Sequence, residues 1–309
     1  MDGKNLIYDY VLKINVISGV AAADMGFLRK ALVVVKPKST WEQTDEVIEA
    51  TKATISDITD NTDIVRIFDG GATKILVIAT EDLAGIKDIY EGSLNQFYSL
   101  VISSDFTSQE IAALDAGNFK SVLFSSSADA QAAGIQAKKL LNCCYYKQEG
   151  NLMYVIGKFL AQPTWSNLQY EILPLDDAIS DIADAENLFE NGVSFSLKDS
   201  QSANRLSLFA QGNEAIIAPY VLKEIELKLQ SETINWIALN RPSYNEVDCS
   251  ILGQYLQGKV IAPYINNRII PSGSVNITTE GGQNFVASGN IVIPKPTALW
   301  RVKANLQNA

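Results

Sequence analysis

The sequence contains no histidine among its 309 residues. Histidine is the commonest general base in enzymes and the commonest metal ligand, and imidazole-dependent hydrolase triads cannot form without it. One absence therefore disfavours several classes of active site together. We expect a protein that is not an enzyme and that holds no metal or other cofactor.

Cysteine is scarce as well, with Cys143, Cys144 and Cys249 as its three occurrences. Two adjacent cysteines and one distant cysteine fit neither a disulfide framework nor the spacing of a tetrahedral zinc site. The Cys143–Cys144 pair also lacks the two-residue spacer of the common redox motif. Buried, reduced thiols are the expected state.

Long apolar runs are missing too, since no stretch approaches the ~18 uninterrupted residues of a membrane helix. The first residues show no apolar run followed by a cleavage site, so we expect no secretory signal and no membrane insertion. The formal net charge is −10, and no basic stripe suitable for phosphates is present, which argues against nucleic acid. The expected partners are proteins or small molecules in a cytoplasm.

Two polar stretches invite a ligand-binding interpretation but lack the required spacing. Residues 69–74, Asp-Gly-Gly-Ala-Thr-Lys, do not have the Gly-to-Gly-Lys frame of a phosphate loop. They are interpreted as a hairpin turn between strands at residues 64–68 and 74–79. The acidic residues between 176 and 190 are predicted to lie around the solvated face of a helix, where they would not converge on a metal ion.

The middle of the chain alternates short apolar runs with helical patterns. An apolar run at residues 27–35 and a β-rich run at 74–79 are followed by buried strands expected at 98–103 and 122–125. Helices are expected at residues 41–58, 86–96, 107–117 and 129–141. Thr107 and Glu110 form a capping box at the start of one of these helices. Strands separated by helices of about ten residues are typical of βαβ units. The predicted fold class is therefore α/β, with a mixed, mostly parallel sheet flanked by helices.

The last third of the chain has a different pattern. An apolar element of ambiguous type at residues 153–160 precedes it. Further elements are predicted as an acidic helix at 176–190, a strand at 193–197, a long helix at 213–239, a second helix at 245–262 and a strand at 274–278. A turn at residues 280–283 then leads to an extended segment from residue 284.

Both ends of the chain alternate with the two-residue period of a half-buried strand. The side chains on one face are Tyr8, Tyr10, Leu12, Ile14 and Val16 at the N-terminal end and Ala298, Trp300, Val302, Ala304 and Leu306 at the C-terminal end. Each of these strands needs a sheet to join, and chain ends are ordered when something ties them down. We therefore expect extended N- and C-terminal β-strand arms that pair between subunits.

This order of elements resembles the tail sheath proteins of contractile phage tails and related injection machines. The resemblance is carried by the N-terminal strand arm, the α/β middle, the segment at residues 162–167 (Gln-Pro-Thr-Trp-Ser-Asn), and the last third of the chain. In that third, a long helix ends in Ile-Ala-Leu-Asn at residues 237–240, Tyr-Leu-Gln-Gly-Lys-Val follows at 255–260, and paired strands come last. The domains implied are an arm at 1–19, an α/β domain at 20–165, a sheath core domain at 166–297 and an arm at 298–309.

The resemblance implies a structural subunit whose arms add strands to the sheets of neighbouring subunits. The interface residues are then Tyr8, Tyr10, Leu12, Ile14, Val16, Trp300, Val302 and Leu306. Stacked rings of the subunit would surround an inner tail tube, bounded by baseplate and tail terminator proteins, and would contract to drive the tube through a target envelope. The location implied is the tail sheath of a virion, assembled in the host cytoplasm.

The resemblance also implies tube-facing charges on the long helix, for which Lys223, Glu224, Glu226 and Lys228 are the candidates. An ordinary solvated helix face is the alternative. Two other functions stay open. One is a small-molecule-binding protein or enzyme on a doubly wound sheet, with its ligand beyond the carboxyl ends of residues 98–103 and 122–125. The other is a related tail component, such as a baseplate or tube-initiating protein.

Overall fold

The computed structural model describes residues 25–86, 88–89, 96–107, 110–111, 122–125, 143–146, 148–164, 166, 168–190, 194–208, 210–211, 214–215, 217–243, 245–279 and 287–293. Both predicted arms, the predicted helix at 129–141 and the turn at 280–283 lie outside these residues. The described residues form two compact units, one within residues 27–217 and one within residues 218–293.

A six-stranded sheet organises the first unit. Its strands are β1 (Ala31–Val35), β2 (Val47–Ala50), β3 (Ile75–Ala79), β4 (Ser99–Ile102), β5 (Val122–Ser125) and β6 (Cys143–Tyr146). Their spatial order is β2-β3-β1-β4-β5-β6, and all neighbours are parallel except β2, which runs antiparallel to β3. The mixed, mostly parallel sheet predicted from the sequence is confirmed.

The central strands are apolar except for Ser99 of β4, because both of their faces are covered. Every residue of β1 and of β4 is buried, which is typical of parallel strands with layers on both sides. Leu32 of β1 lies opposite Leu76 of β3 on one side and Leu100 of β4 on the other. A cluster that includes Leu32, Ile78, Leu100 and Phe106 forms the core beside these strands.

The helices of the first unit are α1 (Ile55–Ile58), α2 (Arg66–Asp69), α3 (Glu149–Ala161) and α4 (Ile182–Glu190), with 3₁₀ turns at Met25–Arg29 and Thr62–Val65. The predicted strand at 64–68 and the hairpin after it are therefore wrong. A side chain on Gly157 of α3 would overlap the carbonyl oxygen of Ile67, and one on Gly70 would lie 2.8 Å from the amide nitrogen of Lys158. Gly70 thus lets the end of α2 contact the backbone of α3.

The predicted helix at 41–58 is also wrong over most of its length. Residues 47–50 form the edge strand β2, in which Ile48 lies opposite Val77 of β3. Only Ile55–Ile58 is helical. Apolar residues at 47, 48 and 50 satisfy both a helical and an extended pattern, and pairing with β3 selects the extended one.

Two smaller antiparallel sheets follow α3. Strands β7 (Phe195–Lys198) and β8 (Asn204–Leu208) form one of them, and the segment around Tyr170 extends it, since the Tyr170 N–H donates to the Leu206 carbonyl at 2.6 Å. Strands β9 (Ala210–Gln211) and β10 (Glu214–Ala215) form the other.

The acidic helix begins later than predicted, at Ile182. Asp177 precedes it and is buried, with its Oδ1 accepting hydrogen bonds from Ser196 Oγ at 2.5 Å and from Asn204 Nδ2 at 2.8 Å. The expectation of carboxylates on a solvated helix face is therefore wrong for Asp177. This side chain joins the segment before α4 to β7 and β8.

The second unit contains α5 (Ile217–Asn240), α6 (Glu246–Leu256), a π-helical turn (Gln257–Ile261), α7 (Ala262–Asn266), β11 (Ser274–Thr279) and β12 (Ala287–Val292). The two long helices and the strand pair are confirmed, with shifted ends. Asn245 caps α6, because its Oδ1 accepts from the Asp248 N–H at 2.8 Å. Val221, Ile225, Leu252 and Leu256 are among the buried residues that pack α5 against α6.

The boundary between the units falls between Ile217 and Ala218, whereas the sequence placed a boundary after residue 165. Ala185, Leu188 and Phe195 explain the difference, because they pack into the same core as β1 and β4. The domain scheme as a whole, with its two arms, stays a prediction.

Candidate functional site

The hairpin of β11 and β12 has two edges of different character. The strands pair over their whole length, with Ser274 opposite Val292 and Thr279 opposite Ala287. Along β11 the side chains alternate between exposed and half-buried. Val275, Ile277 and Ile291 are the members that pack against the core of this unit.

Helix α6 and the turn after it cover the outer edge of β11. The side-chain amide of Gln257 accepts from the Val275 N–H at 3.0 Å and donates to the Gly273 carbonyl at 3.1 Å. Glu246 accepts from the Thr279 N–H at 3.3 Å. Gly253 lies between them, and a side chain there would come within 3.4 Å of the Ile277 amide nitrogen. Backbone groups that a further strand would use are thus already satisfied on β11.

The outer edge of β12 is different. The N–H of Val275 points away from β12 toward Gln257, so the residue opposite it in the register, Ile291, directs its own N–H and carbonyl away from β11. Gly289 and Ala287 occupy equivalent positions opposite Ile277 and Thr279. Within the part of the chain that the structure describes, no strand pairs with this edge. Ala287, Gly289 and Ile291 therefore direct their backbone groups away from β11.

Gly289 lies in the middle of that edge. A side chain at this position would come within 3.1 Å of the Ile277 Cδ1 atom. Glycine therefore leaves room for the Ile277 side chain to lie over β12. Glycine inside a strand often marks a place where another backbone comes close. A residue of an added strand opposite Gly289 would have no side chain of β12 as its cross-strand neighbour.

The predicted tube-facing charges on α5 are largely buried in this chain. Lys223 and Glu224 each keep 7% of their surface exposed. Lys223 pairs with Glu226 at 2.7 Å, and Lys228 pairs with Glu224 at 2.6 Å. The alternative of an ordinary solvated helix face is therefore wrong for Lys223 and Glu224. Contact with a tube stays a prediction for these side chains.

Tyr264 of α7 completes the Glu224–Lys228 pair. Its hydroxyl donates to Glu224 Oε1 at 2.7 Å and accepts from Lys228 Nζ at 2.7 Å. Burial and the neighbouring Glu224 carboxylate raise the pKa of Tyr264 well above its usual range, so the hydroxyl keeps its proton. The three side chains join α5 to α7 by charge-assisted hydrogen bonds.

A polar cluster lies where a doubly wound protein would bind a ligand. The chain leaves β1 toward β3 on one side and returns to β4 on the other, and ligands of such sheets bind beyond the carboxyl ends of the strands at this switch point. Here the loop after β4 carries Ser103, Ser104 and Asp105. Asp105 accepts from Ser103 Oγ at 2.8 Å and from Asn61 Nδ2 at 3.2 Å.

Glu149, the first residue of α3, fills the centre of this cluster. Its Oε1 accepts from the Ser104 N–H at 2.7 Å, and its Oε2 accepts from Asn61 Nδ2 at 2.9 Å and from Ser104 Oγ. Only 4% of Glu149 is exposed, and burial raises the pKa of its carboxyl. The Ser104 N–H, which could otherwise donate to an anionic ligand, thus donates to the protein's own Glu149 carboxylate.

Tyr8, Tyr10, Leu12, Ile14, Val16, Trp300, Val302 and Leu306 lie outside the described residues, and their role in subunit pairing stays a prediction. Sequence reasoning did not identify Gln257 and Glu149. Gln257 lies in a segment noted for its resemblance to sheath proteins, but no local signal shows that its amide would meet a strand edge. Glu149 carries no motif at all.

Two further properties concern the described residues alone. In that part of the chain, no group of three or more acidic or cysteine side chains could hold a metal ion. Of the helices described, none is both long enough and apolar enough to cross a membrane. Cys249 is a buried free thiol, as predicted.

The sequence matches no protein-family profile and none of the curated proteins. Solved structures are nevertheless similar in fold. A chain in the six-fold symmetrised cryo-EM structure of the anti-feeding prophage baseplate is 9% identical, with a TM-score of 0.63 over 93% of this chain and 94% of that chain. The sheath tail protein from Desulfitobacterium hafniense is also 9% identical, with a TM-score of 0.51 over 92% of this chain and 100% of that chain. The chain therefore has the fold of a sheath tail protein, as the pattern of its sequence predicted.

Proposed function

We propose that this chain is the structural subunit of a contractile tail sheath. It polymerises as stacked rings around an inner tail tube, between baseplate and terminator proteins, and contracts to drive the tube through a target envelope. The observation that carries this proposal is the likeness to a sheath tail protein over the whole of that protein's chain. Contraction between two packings of one subunit needs no bound nucleotide, which agrees with a ligand-type site filled by Glu149.

The outer edge of β12 is the proposed acceptor for a strand from a neighbouring subunit. The N-terminal strand, with Tyr8, Tyr10, Leu12, Ile14 and Val16 on one face, adds there by main-chain hydrogen bonds. At ~0.5–1.5 kcal/mol net for each bond, about five bonds contribute several kcal/mol per joint. The covered edge of β11 directs this addition to β12 alone.

We propose that one of the charged residues on α5 contacts the tube. Lys223, Glu224 and Lys228 are engaged with Glu226 and Tyr264 in the isolated chain. We therefore place any tube contact at the partly exposed Lys228, whose side chain keeps 34% of its surface accessible. Glu224 would act by holding that lysine in place, and Lys223 is held by Glu226.

Electron microscopy of the purified chain tests the function, and substitutions at Ile291 test the acceptor edge. Hollow helical polymers with stacked rings support the proposal, and monodisperse monomers under all conditions refute it.

Ile291→Pro removes the outward N–H and introduces a ring at the β12 edge, so we expect monomers that are folded and do not polymerise. Ile291→Ala is the matched control, because it shortens the side chain but keeps the N–H. Equal polymerisation of both variants would refute the assignment of the edge.

A baseplate component is the second candidate, favoured by the TM-score of 0.63 to a chain of a baseplate. A baseplate subunit would form closed rings of fixed size, whereas a sheath subunit forms stacks whose length grows with protein concentration. The same micrographs separate the two, because only the second product is a tube of variable length.

A further inference from the structure

A buried polar joint lies where the segment before α4 meets the β7–β8 sheet. Asp177 of that segment, Ser196 of β7 and Asn204 of β8 keep 5%, 1% and 7% of their surfaces exposed. Asp177 Oδ1 accepts from Ser196 Oγ at 2.5 Å and from Asn204 Nδ2 at 2.8 Å. The Asn204 nitrogen also donates to the Leu175 carbonyl at 2.5 Å. Three elements thus meet around one carboxylate that is removed from solvent.

These hydrogen bonds fix the orientation of the Asn204 amide. Its nitrogen faces two acceptors, and reversing the amide would set its oxygen against a carbonyl and a carboxylate. The other amide atom is therefore the oxygen Oδ1, which is an acceptor. In the part of the chain that the structure describes, neither Asn204 Oδ1 nor Asp177 Oδ2 has a hydrogen-bond partner. Unsatisfied buried atoms of this kind commonly contact a water molecule or an ion.

Asp177 also has no cationic partner among the described residues. The bases on the two neighbouring strands pair with other carboxylates, Lys198 of β7 with Asp176 at 2.8 Å and Arg205 of β8 with Asp199. A buried carboxylate is ordinarily paired with a base or coordinated to a metal ion, because it is costly to take its charge out of water. A water molecule would satisfy the two oxygens but would leave the negative charge without a counter-charge.

We propose that Asp177 Oδ2 and Asn204 Oδ1 bind one monovalent cation, such as sodium or potassium. Carboxylate and amide oxygens are the ligands that hard cations prefer. One carboxylate balances one positive charge, whereas calcium takes about six to eight oxygens. The site thus differs from the acidic clusters that hold divalent ions, and it does not depend on the function proposed above.

The Leu175 carbonyl connects this joint to α3. It accepts from Asn204 Nδ2 and, at 3.0 Å, from Nδ2 of the fully buried Asn151, whose Oδ1 accepts from the Leu175 N–H at 3.0 Å. Two donors already occupy this carbonyl, so it is not a further ligand of the cation. Cation binding would therefore hold the β7–β8 sheet against α3 and stabilise the first unit.

Thermal unfolding of the full chain in different chloride salts tests this inference. Sodium and potassium are compared with tetramethylammonium, which is too large to enter a buried joint, at one pH and one ionic strength. Asp177→Asn keeps an oxygen for Ser196 and Asn204 and supplies an N–H for Asn204 Oδ1, so the joint is satisfied without a cation. Asp176→Asn is the matched control, because Asp176 is the adjacent acid and its side chain keeps 65% of its surface in solvent.

We expect sodium or potassium to raise the unfolding midpoint of the wild type and of Asp176→Asn by about 2–4 °C relative to tetramethylammonium. Asp177→Asn should lose this shift. Equal midpoints of the wild type in all three salts would overturn the cation site and indicate that the two oxygens meet water only. The same shift in Asp177→Asn would place the effect elsewhere in the chain. A shift with magnesium or calcium alone would overturn the monovalent assignment.

Sodium-23 NMR gives a second readout that needs no variant. Sodium bound in a buried site has a broadened resonance, so excess potassium should narrow the sodium line in the presence of the wild type by displacing it. Tetramethylammonium should narrow the line less, because it displaces sodium only from the acidic surface. Equal narrowing by the two cations would overturn the site.

Discussion

The side-chain amide of Gln257 binds the backbone beside Val275 as a neighbouring strand would, accepting the Val275 N–H at 3.0 Å. Its amide nitrogen donates to the Gly273 carbonyl at 3.1 Å. Edge strands that keep such groups free are templates for unwanted pairing. Gln257 therefore closes the β11 edge of the hairpin beside Val275.

Replacing Gln257 with alanine removes both hydrogen bonds and leaves a partly buried N–H without its acceptor. We expect Gln257→Ala to lower the free energy of unfolding by about 1–3 kcal/mol, measured by urea denaturation. Gln254→Ala is the control, since Gln254 is exposed on α6, one turn before Gln257. Loss of the same stability in both variants would contradict the role of Gln257 at the edge.

The contact of α2 with α3 depends on Gly157, because a side chain there would overlap the carbonyl oxygen of Ile67. Gly157→Ala should separate the two helices and lower the free energy of unfolding by about 1–3 kcal/mol through overpacking. Gly85→Ala is the control in the same unit, since nothing lies within 4 Å of the added methyl group. Thermal and urea unfolding measure the difference. A Gly157→Ala variant as stable as Gly85→Ala would show that the helices do not cross at this point.

The buried carboxyl of Glu149 predicts a dependence of stability on pH. Because burial raises the pKa of Glu149 above its usual value of 4.5, the folded chain holds the proton more tightly than the unfolded chain. The free energy of unfolding that this group contributes must then fall as the pH rises from about 4.5 through the raised pKa. Each unit by which the pKa is raised corresponds to ~1.4 kcal/mol.

Glu149→Gln provides the comparison, because glutamine does not ionise. We expect the stability of the wild type relative to Glu149→Gln to decline across that pH window and to become constant above it. Glu42→Gln, at an exposed position, should show no such trend. Parallel curves for the wild type and Glu149→Gln would mean that Glu149 ionises as it does in water.

The Glu224–Lys228–Tyr264 cluster predicts a stability defect where a purely tube-facing role predicts none. Glu224→Ala removes the carboxylate that accepts from both Lys228 and Tyr264, and breaking a buried pair costs about 3–5 kcal/mol. Because Lys228 keeps part of its surface in solvent, the lower end of that range is expected. Lys259→Ala, which removes an exposed charge from the same unit, is the control. Glu224→Ala with normal unfolding but impaired tube binding would assign Glu224 to the tube instead.

The parts of the fold that local chemistry determines were predictable. The capping box is one of them, since Glu110 Oε2 accepts from the Thr107 N–H at 2.6 Å and Thr107 Oγ1 accepts from the Glu110 N–H at 3.2 Å. The strands β4 and β5 are another, because short apolar runs between polar stretches have few alternatives. The interpretation of Gly70 and Gly71 as part of a hairpin turn is wrong, because glycine permits a tight turn and a close helix contact equally well.

Less of the candidate site could be predicted from the sequence. The alternating residues of β11 were recognised as a strand, but which of its edges is open depends on hydrogen bonds from Gln257 and Glu246. Likewise, Lys223 and Glu224 have the composition of a solvated helix face. Their burial follows from the way α5 packs, to which the local pattern of charges gives no guide.

The sequence by itself determined the class of the protein. The alternation of strands with helices led to the α/β fold class, and the order of elements toward the C-terminal end resembles the sheath proteins, because both are patterns that the chain carries at short range. Only the tertiary structure decided that Glu149 fills the switch point, that Gln257 closes β11 and that none of the described strands pairs with the outer edge of β12. Those outcomes depend on groups such as Ser104 and Glu149 that are 45 positions apart in the chain, and contacts at that separation are set by packing.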